Sequence, residues 1–303
     1  MKYLMAVVLL TSFHHSPGVA AEPLTTTGLS FLKMGGGVRA AGLGGAYSAV
    51  SEDAFSLRWN CAGIAGLDGY SLGLAHNSWY QGIRHEEAVF SDFWGSFAYG
   101  LLFANQTVPE IEFREDRPSD DPIDTFSAHD FVLGAFLSRR LGERLALGGG
   151  LKWIYEKIYT DQSQGSSWDL GLTYRLLPRF TLSASVLDQG GNIRTNDYDL
   201  ELPSRLVLGG AYRTGAVIGR SPLLLVVDYT RPKHNPARFN AGLEVPLRGF
   251  IDLRGGYLWG DRLAGSYSLG LGIRVLSVRL DYAYQPIRYD LGRIHRIGLI
   301  WGG

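Results

Sequence analysis

The segments Val278-Arg279-Leu280-Asp281-Tyr282-Ala283-Tyr284-Gln285 and Tyr267-Ser268-Leu269-Gly270-Leu271-Gly272-Ile273-Arg274 decide the reading of this chain. In both, aliphatic and aromatic residues take every second position, and charged or small residues take the positions between. Side chains on a strand point to opposite faces with period two, so each segment is a strand with one apolar and one polar face. The pattern recurs about fourteen times between residue 70 and Trp301, as the repeated dyad of a transmembrane β-barrel does.

The 303 residues would allow two soluble domains on length alone, but a closed barrel uses its length as one sheet and needs no second core. The chain carries 40 Gly, 16 Tyr, 14 Phe and 7 Trp, with 29 basic against 29 acidic residues. A neutral balance excludes the basic surplus that nucleic-acid binding requires. A mean hydropathy of -0.01 hides membrane character, because lumen and lipid faces cancel along each strand. Cys61 is the single cysteine, so no intramolecular disulfide forms.

The chain divides into three expected parts. Residues 1–21 read as a signal peptide: Lys2, an apolar run from Leu4 to Leu10, and Val19-Ala20-Ala21 as the site of cleavage, after Ala21. Residues 22–67 read as an N-terminal extension and plug. Its inward-folded part, 34–67, is a glycine run followed by a helical stretch from Ala46 to Trp59 that Asn60 to Gly63 terminates, with Gly63 as the helix end. Residues 68–303 read as the barrel. No stretch approaches the roughly 20 apolar residues of a spanning helix, which leaves an exported chain of this kind two places, soluble in the periplasm or as a barrel in the bacterial outer membrane in contact with its lipid; the strand alternation favours the second.

The alternation places strands at 69–77, 86–92, 95–104, 129–138, 145–156, 166–175, 180–187, 204–213, 223–230, 238–245, 250–258, 266–274, 277–285 and 294–301. The expected fold is an all-β, up-and-down antiparallel barrel with a short helical plug. Connections support it, since outer-membrane barrels alternate short periplasmic turns with longer external loops. The even-numbered connections are short, with 214–222 the one long exception. The odd ones include 105–128, 188–203 and 286–293, which are longer and more polar. The longest is acidic, with Glu110, Glu112, Glu115, Asp116, Asp120, Asp121 and Asp124, and reads as an extended exposed loop suited to contact with a partner.

Parity puts Leu147, Leu151, Trp153, Trp168, Leu170, Phe239, Leu243, Ile297 and Trp301 on one face and Lys152, Glu156, Asp169, Arg175, Arg205, Glu244, Asp252, Arg254, Arg274, Arg279 and Asp281 on the other. A soluble sandwich would turn the apolar face inward. A barrel of about fourteen strands is too wide for its own inward side chains to fill, since about eight already suit that task. The apolar face therefore meets lipid, and the charges pair across a polar lumen.

The stretch from Gly37 to Val50 (Gly37-Val38-Arg39-Ala40-Ala41-Gly42-Leu43-Gly44-Gly45-Ala46-Tyr47-Ser48-Ala49-Val50), with Glu52-Asp53-Ala54 and Trp59-Asn60-Cys61-Ala62-Gly63, resembles the N-terminal motif of the PorV/PorQ family, a branch of the FadL-like barrels. Leu280-Asp281-Tyr282-Ala283-Tyr284-Gln285-Pro286 and His295-Arg296-Ile297 resemble that family's last strands. The resemblance implies fourteen strands and an N-terminal plug, with Gly42, Gly44, Gly45, Asp53, Asn60, Ala62 and Gly63 as the plug motif. It also implies a role in protein export by a type IX system, with secretion proteins and exported cargo as partners. The sequence departs from the family at Cys61, where Pro is usual, and at Gly302-Gly303, which follow the near-terminal aromatic Trp301.

Other chemistry finds little footing. The glycine run lacks the Gly-Lys-Ser/Thr ending of a phosphate loop and no strand precedes it. The histidines lack metal-motif spacing and no nucleophile elbow is present, so neither metal, cofactor nor catalysis is expected. Asp53 and Asn60 read either as residues gating a passage or as helix caps bonded to the wall. The alternative function is a FadL-like passage for small hydrophobic molecules such as long-chain fatty acids. Leu280→Arg, a charge set in hydrocarbon, is expected to cost about 2–4 kcal/mol, with Arg279→Gln the milder change; heat-modifiability gels of the two variants measure the difference.

Overall fold

The computed structural model describes residues 29–50, 52–114, 121–194, 199–218, 221–260, 267–287 and 292–303. The signal peptide and its cleavage site, and the centre of the acidic loop, lie outside the described residues. Fourteen strands close into one antiparallel barrel. In chain order they are β1 (Ser71–Ser78), β2 (Arg84–Trp94), β3 (Phe97–Phe113), β4 (Asp124–Leu141), β5 (Leu145–Ile158), β6 (Asp161–Leu177) and β7 (Phe180–Gln189). After a small hairpin of β8 (Ile193–Arg194) and β9 (Asp199–Leu200), the wall resumes. It continues with β10 (Arg205–Ile218), β11 (Ser221–Pro232), β12 (Arg238–Leu247), β13 (Ile251–Trp259), β14 (Tyr267–Val275), β15 (Val278–Pro286) and β16 (Arg293–Gly302). Closure comes from β1, which pairs with β2 on one side and β16 on the other.

Register carries the alternation around the wall. Val278, Trp301, Leu72, Phe90, Leu101, Ala135, Leu151 and Trp168 face one another in sequence across eight strands. This band lies on the outside: Leu151 is 69% exposed, Leu280 51% and Ile297 58%. A soluble protein would not leave so continuous an apolar band in water. The barrel is therefore transmembrane, its greasy face turned to acyl chains. Aromatics Tyr257, Trp259, Tyr267 and Trp301 stand exposed on the same face near the strand ends, where amphipathic rings favour the headgroup level.

Each of the fourteen expected strands corresponds to one wall strand, but several connections differ from expectation. β3 and β4 continue their pairing to Phe113 and Asp124, so most of the expected acidic loop at 105–128 is strand that overtops the membrane. At 17 and 18 residues these two exceed the roughly 9–11 needed to cross. Polar residues on their outer face, such as Asn105, Thr107 and Ser127, hid them, because above the bilayer that face need not be apolar. The expected long turn at 214–222 is mostly strand, since β10 runs to Ile218 and β11 starts at Ser221. The connection from β7 to β10 is also less external than its polarity suggests, since Ile193 and Leu202 are buried against the plug.

The barrel is filled by residues 29–67. A short α1 (Val38–Gly42) forms inside the glycine run, and 3-10 turns follow at Ala54–Arg58 and Cys61–Gly66. The expected helix at 46–59 is thus mostly absent: small residues there sit flat against the wall, and tertiary contacts override weak propensity. Gly63 lies within the last 3-10 turn and does not end a helix. Phe31, Leu32, Leu43, Tyr47, Leu57 and Ile64 are wholly buried between plug and wall, so the interior is an apolar core as well as a charged one.

Backbone meets backbone where the wall lacks side chains. A Cβ on Gly256 would stand 2.0 Å from the Gly44 nitrogen, and one on Gly171 would stand 2.1 Å from Asn60 Oδ1. Gly256→Val is expected to unseat the plug while the wall persists. Limited proteolysis would then cut within residues 29–67 although the heat-modifiable barrel band is retained.

Candidate functional site

Two features converge on the plug: a chain of ion pairs that fastens it and a cavity above it. Asp53 caps the turn at Ala54–Arg58 by accepting from Phe55 N at 3.1 Å. Asn60 caps the next by accepting from Ala62 N at 3.1 Å. The capping geometry leaves a second valence free on each side chain. Asn60 Nδ2 donates to the Ser48 and Leu172 carbonyls at 3.1 and 3.0 Å, while Asp53 Oδ2 accepts from Tyr47 OH at 2.7 Å and Arg279 Nη2 at 2.6 Å. Both caps are therefore also rivets to the rest of the molecule. Cys61 occupies the first position of its turn, a place where Pro is tolerated; burial pushes its thiol up to about 12, which makes it inert packing.

From Asp53 the charges continue. Arg279 Nε donates to Asp281 at 2.8 Å, Arg254 Nη1 to Asp281 at 2.6 Å and Arg254 Nε to Glu244 at 2.6 Å. Glu244 accepts both arms of Arg39, at 2.7 and 2.6 Å, from α1. Three guanidinium groups thus alternate with three carboxylates from wall to plug and form a latch between them. Burial of the guanidinium is opposed by Glu244, Tyr47 and Asp53, which hold Arg39 well above its usual range. Asp252 pairs with Arg274 at 2.8 Å beside this chain.

Two further anchors act at other azimuths. Asp228 accepts from Tyr47 N, Ser48 N and Ser48 Oγ at 2.9, 2.9 and 2.7 Å. Glu87 pairs with Arg58 at 2.9 Å and accepts from Gly37 N at 3.1 Å. Lys152 bonds Asp169 at 2.7 Å and also Asp188, which in turn holds Arg205 at 2.7 Å.

Gly42 ends α1 and lies 3.0 Å, by its would-be Cβ, from the Gly270 Cα. Gly44 and Gly45 take φ of +69° and +77°, conformations that suit glycine, and Gly44 N donates to Ser268 Oγ at 3.0 Å. Glu156 is half-buried and faces Asp130 across β4 and β5. Arg175 is exposed at the short-turn mouth, away from the latch. The partners that parity alone did not single out are Arg39, Glu87, Asp188 and Asp228. Asp228, an acid directly after the apolar run Leu223-Leu224-Leu225-Val226-Val227, was the readable signal among them.

At the long-loop end, a cavity of about 530 Å³ opens above the plug, floored by Met34, Gly45 and Trp59. Trp79, Tyr80, Ile83, Leu258 and Ile287 supply apolar wall, while Lys33, Arg205, Arg238 and Arg296 supply cations. Burial, then Arg238 and Arg205, lowers the Lys33 pKa. Arg296 Nε, Trp79 Nε1 and Gln106 Oε1 are buried there without a hydrogen-bond partner among the described residues. Volume and lining match a site for a small, largely apolar molecule with a polar end. No cluster of three or more His, Cys, Asp or Glu among the described residues could hold a metal.

No family model matches the chain, and no curated protein matches it. Solved structures do. A CymD monoaromatic hydrocarbon channel superposes with a TM-score of 0.65 at 13% identity, over 92% of this chain and 99% of its own. A TodX monoaromatic hydrocarbon channel variant gives 0.65 at 12%, over 88% and 98%. A Pseudomonas aeruginosa FadL homologue gives 0.56 at 12%, over 87% and 96%. At such identities the likeness is one of fold. The protein has a FadL-like, plugged fourteen-stranded barrel.

The ion-pair chain corrects the expectation that Arg279→Gln is mild. That change removes the guanidinium that pairs with Asp53 and one of the two on Asp281, as Glu244→Gln removes the carboxylate shared by Arg39 and Arg254 and leaves them Glu52 and Asp281. Each is expected to cost about 3–5 kcal/mol, the range for breaking a buried pair, whereas Glu201→Gln, at the rim, costs about 0–1 kcal/mol. Urea unfolding in detergent measures all three.

Proposed function

We propose that this protein is a non-enzymatic outer-membrane passage for small hydrophobic or amphipathic molecules, captured in the cavity above the plug and released past it. The observation that carries this reading is that cavity: its apolar wall accepts a hydrocarbon body, and the unpartnered Arg296 Nε and Trp79 Nε1 offer donors to a carboxylate end. The fold shared with hydrocarbon channels supports the same reading. Outer-membrane residence is supported by the lipid-facing band and by the barrel architecture itself.

Membership of the PorV/PorQ family, and with it protein export through secretion-system partners, draws no support from the comparisons. The surface on which cargo contact was expected, at 105–128, is largely paired strand. The hydrophobic-ligand reading is therefore preferred.

Passage requires the ligand to get by a plug fastened at several points, so local loosening of the plug is part of the mechanism. The latch residues hold it and the cavity selects what reaches it. Complemented cells are expected to take up a labelled long-chain fatty acid faster than deletion cells, and equal uptake would remove the reading. In purified protein, Arg296→Gln is expected to weaken fatty-acid binding about tenfold, the loss of one charge-assisted hydrogen bond. It should leave binding of a neutral aromatic hydrocarbon unchanged; Trp59 and Trp79 fluorescence reports both.

A further inference from the structure

The short-turn mouth holds charges that neither the latch nor the cavity above the plug uses. Arg140, Arg144, Arg175, Arg179 and Arg213 line a concavity of about 380 Å³ floored by plug residues Ala49, Ala62 and Gly66, with Glu143 the one acid in the lining. The sheet register makes this arrangement costly. Leu145 faces Tyr174, which sets Arg144 against Arg175, and the Arg175 N–H donates to the Arg144 carbonyl at 2.7 Å. Phe180 faces Tyr212, which sets Arg179 against Arg213, and the Arg213 N–H donates to the Arg179 carbonyl at 2.9 Å. Like charges directly opposed across strands destabilise a sheet.

Two of the five charges are answered by the plug. Arg213 pairs with Glu52, and Arg140 Nη2 donates to the Ala65 carbonyl at 2.9 Å. Arg144, Arg175 and Arg179 have no carboxylate partner among the described residues. Local rules broken repeatedly around one concavity mark a functional site, where the cost is offset by what binds.

We propose that this mouth is a phosphate-binding site, with Arg144, Arg175 and Arg179 as its guanidinium ligands. Each guanidinium presents a fork that matches phosphate oxygens. A tetrahedral, multiply charged anion can engage three forks at once, whereas a single carboxylate satisfies one. The phosphate belongs either to a small ester free in the compartment facing the short turns or to the headgroup of a phospholipid in the adjoining leaflet.

The test uses the full mature chain in dodecyl maltoside, a detergent without phosphate, titrated with inorganic pyrophosphate in a calorimeter. Wild-type protein is expected to bind saturably, and both Arg179→Gln and the Arg144→Gln/Arg175→Gln double variant to bind about tenfold more weakly or worse. Without pyrophosphate the glutamine variants should unfold at higher temperature, since repulsion is relieved; a purely structural role would lower it. Arg175→Lys, which keeps the charge and loses the fork, is expected to fall between and serves if a glutamine variant does not fold. Absence of saturable binding by wild type, or unchanged binding by the variants, overturns the site. Repeating the titration in discs of equal parts phosphatidylcholine and phosphatidylglycerol separates the sources: loss of pyrophosphate binding there assigns the site to headgroups, retention to a free ester. Uptake plays no part in this readout, so either proposal can fail alone.

Discussion

A barrel of this width cannot fill itself, and everything inside follows from that constraint. Inward side chains of about eight strands meet at the axis; those of fourteen do not. The space is taken by the chain's own N-terminal residues, and the wall is cut to receive them. Gly256 and Gly171 remove the side chains that would collide with Gly44 and Asn60, so plug backbone packs on wall backbone at the distance of ordinary secondary structure.

Close approach alone would not fix the plug's position, because small residues slide. The alternating charges from Arg39 through Glu244, Arg254, Asp281 and Arg279 to Asp53 do. Buried ion pairs add little net stability against an apolar alternative, but removing one member is severe, because its partner is left uncompensated. Such a chain therefore specifies one seat for the plug. The same specificity leaves a cavity of set shape above it and an arginine-lined concavity below, with the plug contributing residues to both.

The plug also links the two ends. Glu52, on the segment between Tyr47 and Asp53, reaches Arg39 at 2.5 Å and Arg213 at the lower mouth. Trp59, a few residues on, floors the upper cavity and donates to the Gly36 carbonyl at 2.8 Å. A ligand that shifts Trp59 acts on the same short stretch of chain that answers the mouth's positive charge.

The sequence by itself determined the wall: strand number, the order of strands, and which way Leu280 and Asp281 point, because period-two alternation is a local property that a lipid solvent enforces at every position. It also offered capping as one of two readings of Asp53 and Asn60, since capping depends on only a few neighbouring residues. It could not show that β3 and β4 rise above the membrane, where water removes the need for alternation, nor that residues 46–50 forgo helix to lie on the wall. Only the tertiary structure paired Arg39 with Glu244, some two hundred positions away, and set Arg144 against Arg175 and Arg179 against Arg213. Closure of the barrel creates those distances, and no local pattern encodes them.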